Sequence, residues 1–148
     1  MTQEEFEQLL KKEGYSFKRA GGEILVTHQG DVDLGFLKSL PPGVVFQNQG
    51  NVWLTRLQSL PPGVRFENQG SVDLDSLETL PPGVRFQNQG RVWLSSLKRV
   101  PPGVRFQNQG NVLLESLVGD WFKYWKGNIE GVNPKRLLNL MIDKGLFL

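Results

Sequence analysis

Hydrophobic residues in this chain return every twenty positions. Val32, Val52, Val72, Val92 and Val112 each stand two residues before Leu34, Leu54, Leu74, Leu94 and Leu114. Val44/Phe46, Val64/Phe66, Val84/Phe86 and Val104/Phe106 repeat that spacing one segment further along. Apolar residues at i and i+2 line one face of a strand, so each repeat predicts two short strands with an apolar inner face. Leu37, Leu57, Leu77, Leu97 and Leu117, with Leu40, Leu60, Leu80 and Val100, fill the segment that returns to the next repeat.

Two recurring tripeptides punctuate the pattern. Pro-Pro-Gly begins at Pro41, Pro61, Pro81 and Pro101, and proline, lacking an N–H, cannot sit centrally in a sheet. Asn-Gln-Gly begins at Asn48, Asn68, Asn88 and Asn108, and predicts a turn in which glycine takes a positive φ and asparagine bonds the backbone. No stretch between a glycine and the next Pro-Pro is long enough for a stable helix. A short period held without insertion means one unit stacked on copies of itself, each coil about 4.8 Å from the next. The predicted fold is mainly β: a parallel β-solenoid of 20-residue coils, with phenylalanine on phenylalanine and a column of asparagines at one corner.

Both ends of a stacked sheet invite unwanted pairing, and both termini read as caps. In residues 1–29, Thr2 and Glu5 have capping-box spacing, Phe6, Leu9 and Leu10 recur at helical intervals, and Gly14 stops the helix. Residues 15–18 and 23–27 then predict a hairpin or two short strands around Gly21-Gly22, with Ile24 and Val26 already in phase with the repeat. Residues 30–117 are the solenoid. In residues 118–148, Trp121, Phe122 and Trp125 have helical spacing over Val118 to Lys126, and Asn133-Pro134 opens a second helix through Leu137, Leu138, Met141 and Ile142 to Gly145.

The LxxLPxGV run and recurring asparagine resemble leucine-rich repeats. The full LPxGVxFxNxGxVxL unit is similar to short repeats of uncharacterised bacterial and bacteriophage proteins. The resemblance covers the repeat region and implies a solenoid. It departs from the ordinary leucine-rich unit in the VxL strand directly after the turn, which favours a straighter β-solenoid over a horseshoe. For function it implies at most a phage protein acting on a host factor.

Composition narrows the chemistry. The chain has 148 residues with 17 basic and 15 acidic ones, and so lacks the basic excess usual in polyanion-binding proteins. It has no cysteine, which excludes disulfides and thiolate chemistry. The N-terminal stretch is acidic and amphipathic, unlike a secretory signal, and no apolar run is long enough for a membrane span. The expectation is a cytoplasmic protein with no membrane contact. His28, the only histidine, stands in the asparagine column, where a polar corner role is expected. Asp33 and Asp73 lie two coils apart, about 10 Å, too far to share an ion. No catalytic residue, metal or cofactor is expected.

Partner recognition then falls to the outward positions, which vary. One column reads Val45, Arg65, Arg85, Arg105 beside Gln47, Glu67, Gln87 and Gln107. The other reads Asp33, Trp53, Asp73, Trp93, Leu113. An inward tryptophan would break the Val/Leu alternation, so Trp53 and Trp93 point outward. Flanked by Arg56 and Arg91, they have the aromatic and arginine character of interface anchors. The expectation is a non-enzymatic module whose protein partner binds Trp53, Trp93, Arg56, Arg91 and Asp73, with the Arg65, Arg85, Arg105 column contributing. Two alternatives stay open: nucleic-acid binding through those three arginines, and self-association of the tryptophan face into a homo-oligomer.

Overall fold

A computed structural model of the chain describes residues 1–118 and 134–148. Helix α1 (Gln3–Glu13) leads into β1 (Phe17–Ala20) and β2 (Glu23–Val26). Very short strands follow: β3 (Val32–Asp33), β4 (Val44–Phe46), β5 (Val52–Trp53), β6 (Arg65–Phe66), β7 (Val72–Asp73), β8 (Arg85–Phe86), β9 (Val92–Trp93), β10 (Arg105–Phe106) and β11 (Val112–Leu113). A single turn, α2 (Glu115–Val118), and helix α3 (Pro134–Asp143) complete the described elements. The expected aromatic helix around Trp121, Phe122 and Trp125, and the expected N-cap Asn133, lie outside the described residues.

From β2 onward successive strands alternate between two sheets, one ordered β1-β2-β4-β6-β8-β10 and the other β3-β5-β7-β9-β11. The repeat strands pair in parallel with a shift of twenty residues, placing Phe46 on Phe66, Phe66 on Phe86 and Phe86 on Phe106. The chain is a parallel β-solenoid of about four coils with a helix near each terminus. Stacked phenylalanine rings lie 5.4, 5.3 and 5.0 Å apart between centroids, within 6° of parallel, in the range of favourable aromatic contacts. With the buried Val, Leu and return-segment residues they form one continuous core. Strand β2 pairs in parallel register with β4, Ile24 on Val44 and Val26 on Phe46, so the stack begins inside the segment expected as a cap.

The corners differ from expectation in one respect. The positive-φ glycines of the repeat are those of Pro-Pro-Gly: Gly43, Gly63, Gly83 and Gly103, with φ of 78°, 83°, 80° and 92°. Those of Asn-Gln-Gly have no positive φ. Crowding selects them instead, because a Cβ on Gly50, Gly70, Gly90 or Gly110 would stand within 2.8 Å of the preceding coil's backbone. The same close approach lets Gly70, Gly90 and Gly110 donate their N–H to Gly50, Gly70 and Gly90 carbonyls at 3.0–3.1 Å.

Beside that glycine stack runs the asparagine column. Asn48, Asn68, Asn88 and Asn108 are buried. Asn88 Nδ2 donates to the carbonyls of Gly70, Gly90 and Arg91 at 3.0, 3.2 and 3.2 Å, and Asn48 does the same for Gly30, Gly50 and Asn51. One amide therefore ties its own turn to the turn of the coil before. His28 holds this position in the first coil; its carbonyl accepts from Gln49, and its ring meets Tyr15 edge-on at 5.1 Å.

Side chains finish the ends. Helix α1, with its capping box between Thr2 and Glu5 and a left-handed Gly14 at φ 78°, buries Phe6 and Leu10 against the first coil. Gln3 Nε2 donates to the carbonyls of Gly22 and Pro42, each at 2.9 Å. The Tyr15 hydroxyl accepts from the Asp33 N–H at 3.0 Å and lies 3.2 Å from the Asp33 carbonyl, closing the outer edge of β3. At the other end, α3 buries Leu138 and Ile142 and lays Asn139 along β10. The outer strand β1 is exposed over Lys18, Arg19 and Ala20, and charged residues on an edge strand oppose pairing with another chain.

Candidate docking face on the second sheet

Register puts Asp33, Trp53, Asp73, Trp93 and Leu113 in a single column on the outer side of the second sheet. Val32 and Leu34 and their equivalents in each coil are buried, so the residue between them faces out. Trp53, Asp73, Trp93 and Leu113 are half-buried and Asp33 is exposed. Among the described residues neither indole N–H of Trp53 or Trp93 has a hydrogen-bond acceptor.

The aspartates serve their own turns. Asp33 Oδ1 accepts from the Gly35 N–H at 3.0 Å, and Asp73 Oδ1 from the Asp75 N–H at 3.1 Å. A tryptophan cannot accept such a bond, yet the turn closes alike in Asp and Trp coils, through Leu37 N–H to Leu34, Leu57 to Leu54, Leu77 to Leu74 and Leu97 to Leu94 carbonyls at 3.0–3.1 Å. The return segments do follow the two-coil period: Gln58 N–H bonds the Lys38 carbonyl at 2.9 Å and Lys98 N–H bonds the Glu78 carbonyl at 2.8 Å. Burial pushes the Asp73 carboxyl above its ordinary range, the Asp75 amide bond pulls it back in part, and the neighbouring Asp75 charge raises it further.

Two arginines border this column. Arg91, two residues before Trp93, is exposed at the corner, and its N–H bonds Ser71 Oγ at 3.0 Å. That bond continues a chain in which Asp31 accepts from the Asn51 N–H and Asn51 from the Ser71 N–H. Arg56 is exposed and lines a groove of about 560 Å³ with Lys38, Gln58, Ser76, Glu78 and Thr79.

Arg65, Arg85 and Arg105 lie in register on the first sheet, on the other side of the Asn-Gln-Gly corner. They share a column with each other but not with the tryptophans. Arg65 reaches Glu23 at 3.4 Å and Glu67 at 3.7 Å, and Arg105 pairs with Asp143 on α3. Arg85 is exposed, with no carboxylate at ion-pair distance among the described residues. Val45, which heads the column, faces outward yet is fully buried; the Arg65–Glu23 pair spans its coil. This column is therefore a partly neutralised face, not an open strip of cations.

Sequence reasoning missed Phe36, which is 50% exposed one coil before Arg56. The available signal was that it is the only aromatic among residues 36, 56, 76, 96 and 116. It also missed the edge-closing roles of Tyr15 and Asn139. Among the described residues, no group of three or more His, Cys, Asp or Glu could hold a metal ion, and no helix is long and apolar enough to cross a membrane. The fold thus defines the chain as a parallel β-solenoid with a tryptophan–aspartate column on one sheet. No protein-family model, curated protein or solved structure matches it.

Proposed function

We propose that this chain is a non-enzymatic protein-binding module that docks a partner on the Trp53, Asp73, Trp93 column, bordered by Arg56 and Arg91. The observation that carries this reading is the pair of half-exposed indoles, in register two coils apart, whose N–H groups have no acceptor among the described residues. Rings of this size on a rigid sheet offer area at little entropic cost, and tryptophan and arginine dominate interface energetics. The likeness of the repeat to bacterial and phage units makes a host factor in the cytoplasm the partner class to seek.

Capture from lysate of the natural source, with and without nuclease, tests this beside Trp53→Ala/Trp93→Ala. The double variant should fold and lose one identified protein, which the purified parent chain should then bind directly. Phe86→Ala is the folding control, expected to cost about 3–5 kcal/mol through a core cavity. A double variant that still binds fully, or that unfolds, sinks the reading. Retention that disappears with nuclease alone would turn attention to nucleic acid, although the ion pairs of Arg65 and Arg105 weigh against a phosphate-binding strip. Sedimentation at two concentrations separates partner binding from self-association.

A further inference from the structure

We infer that the gap above Asp73, between Trp53 and Trp93, receives one guanidinium group from an arginine of the partner protein. The inference rests on the docking face proposed above and specifies its chemistry. Trp53 and Trp93 both pair in register with Asp73, so their backbones stand about 9.6 Å apart, two strand spacings. The aspartate is shorter than the tryptophans that flank it in the column, so its carboxylate stands between the two indole-bearing coils.

A cation seated over Asp73 would lie one strand spacing, about 4.8 Å, from the backbone of each indole-bearing coil, and an indole face turned toward it would bring the ring centre within the roughly 6 Å reach of a cation–π contact. A guanidinium fits better than an ammonium, because it is planar, weakly hydrated and able to fork onto a carboxylate while its faces meet aromatic rings.

Charge complementarity selects this occupant. Asp73 has no cationic group at ion-pair distance among the described residues, and neither have Asp33 and Asp75. Asp75 points its carboxylate at the Ser95 N–H, 3.1 Å away, and Asp73 spends one oxygen on the Asp75 amide. Besides that amide, the Asp73 carboxylate meets only the neighbouring Asp75 carboxyl among the described residues. An anionic ligand would meet Asp73 head on, whereas Arg56 and Arg91 stand at the borders and suit carboxylates of the same partner flanking its arginine.

The test uses the intact chain labelled with 15N. Indole N–H signals of Trp53 and Trp93, assigned with Trp53→Phe and Trp93→Phe, are followed while acetyl-Gly-Arg-Gly-amide is added to about 20 mM, the range that detects millimolar affinity. The same tripeptide with citrulline is the uncharged, equally planar control. Both indoles should shift saturably with the arginine peptide, the citrulline peptide should bind at least tenfold more weakly, and Asp73→Asn should remove that difference. Asp73→Asn keeps an oxygen for the Asp75 amide, so the fold is retained. Equal response to both peptides, an unchanged response in Asp73→Asn, or no saturable shift overturns the inference. If Asp73→Asn still captures the partner that Trp53→Ala/Trp93→Ala loses, guanidinium capture is wrong while the docking face stands.

Discussion

Asn139 replaces a strand for Phe106. Its Oδ1 accepts the Phe106 N–H at 2.9 Å and its Nδ2 donates to the Phe106 carbonyl at 3.0 Å. An amide side chain thereby reproduces the two bonds that the next coil's peptide would make. The solenoid needs such a substitute because stacking has no intrinsic stop: every coil presents the same edge to a further copy. Tyr15 performs the matching task for Asp33 at the opposite end and on the opposite sheet.

Removing that substitute should loosen the end and open it to pairing. Asn139→Ala is expected to cost about 1–3 kcal/mol, the penalty of orphaning buried polar groups. It should also produce association that grows with concentration. Urea unfolding gives the first quantity and sedimentation the second; a variant as stable and as monodisperse as the parent would show that Asn139 does not guard the edge.

The asparagine column separates two kinds of loss. The Gly70, Gly90 and Arg91 carbonyls that Asn88 contacts also accept backbone N–H groups, from Gly90, Gly110 and Val72 respectively. Asn88→Ala therefore removes second bonds rather than sole ones and should cost about 0.5–1.5 kcal/mol per bond lost. Asn88→Asp sets a carboxylate against three carbonyl oxygens in a buried corner, and should cost more at neutral pH. Its folded-state pKa must rise, so stability is regained as pH falls and lost as pH climbs through the raised value. Denaturation across the acid range checks both the ranking and the slope.

Two glycines that look alike in the sequence should fail differently. At Gly83 the φ of +80° is the whole objection, since a Cβ there meets nothing within 4 Å. Gly83→Ala should cost about 1–2 kcal/mol, and Gly83→Asn less, because asparagine tolerates the left-handed region. At Gly90 a Cβ would stand 2.7 Å from Ser71 N and 2.8 Å from Gly70 C. Gly90→Ala should cost about 3 kcal/mol or more by prising coils apart, with no relief from asparagine. Thermal unfolding of the four variants compares them directly.

Asp73 should destabilise the fold when ionised. Its folded-state pKa is raised, chiefly by burial, so the folded state holds the proton more tightly than the unfolded chain. The corresponding stability is fully present below the ordinary carboxylate pKa and is lost as pH rises through the raised value. Asp73→Asn should therefore be more stable than the parent at pH 7, with the difference closing on acidification. An equal or less stable variant at pH 7 would contradict this. Asp73 thus combines a structural bond to the Asp75 amide with a burial cost on its charged form.

Much of this architecture was legible because the repeat fixes its own register. Val72 must lie on Val92 and Phe66 on Phe86 once coils of equal length stack, and the outward direction of Trp53 follows from the strand period alone. The positive-φ glycines were misassigned because Asn-Gln-Gly and Pro-Pro-Gly are both turn signals; only the distance between coils shows which glycine is there for conformation and which for clearance. Beside the arginine column the sequence offered only Glu67 as a counter-charge, since Glu23 lies 42 residues from Arg65 and Asp143 lies 38 from Arg105.

From the sequence alone came the coil length, the two strands per coil, the identity of the core and the column that holds Trp53, Asp73 and Trp93. Those properties depend on spacing along the chain, and a period expresses spacing completely. Tertiary structure alone decided which ends are closed by Tyr15 and Asn139, which arginines are neutralised, why Gly90 must be glycine, and that Asp73 is half-buried with its charge unanswered among the described residues. Each of these depends on which atoms meet across coils and caps, and such contacts exist only after the chain has stacked.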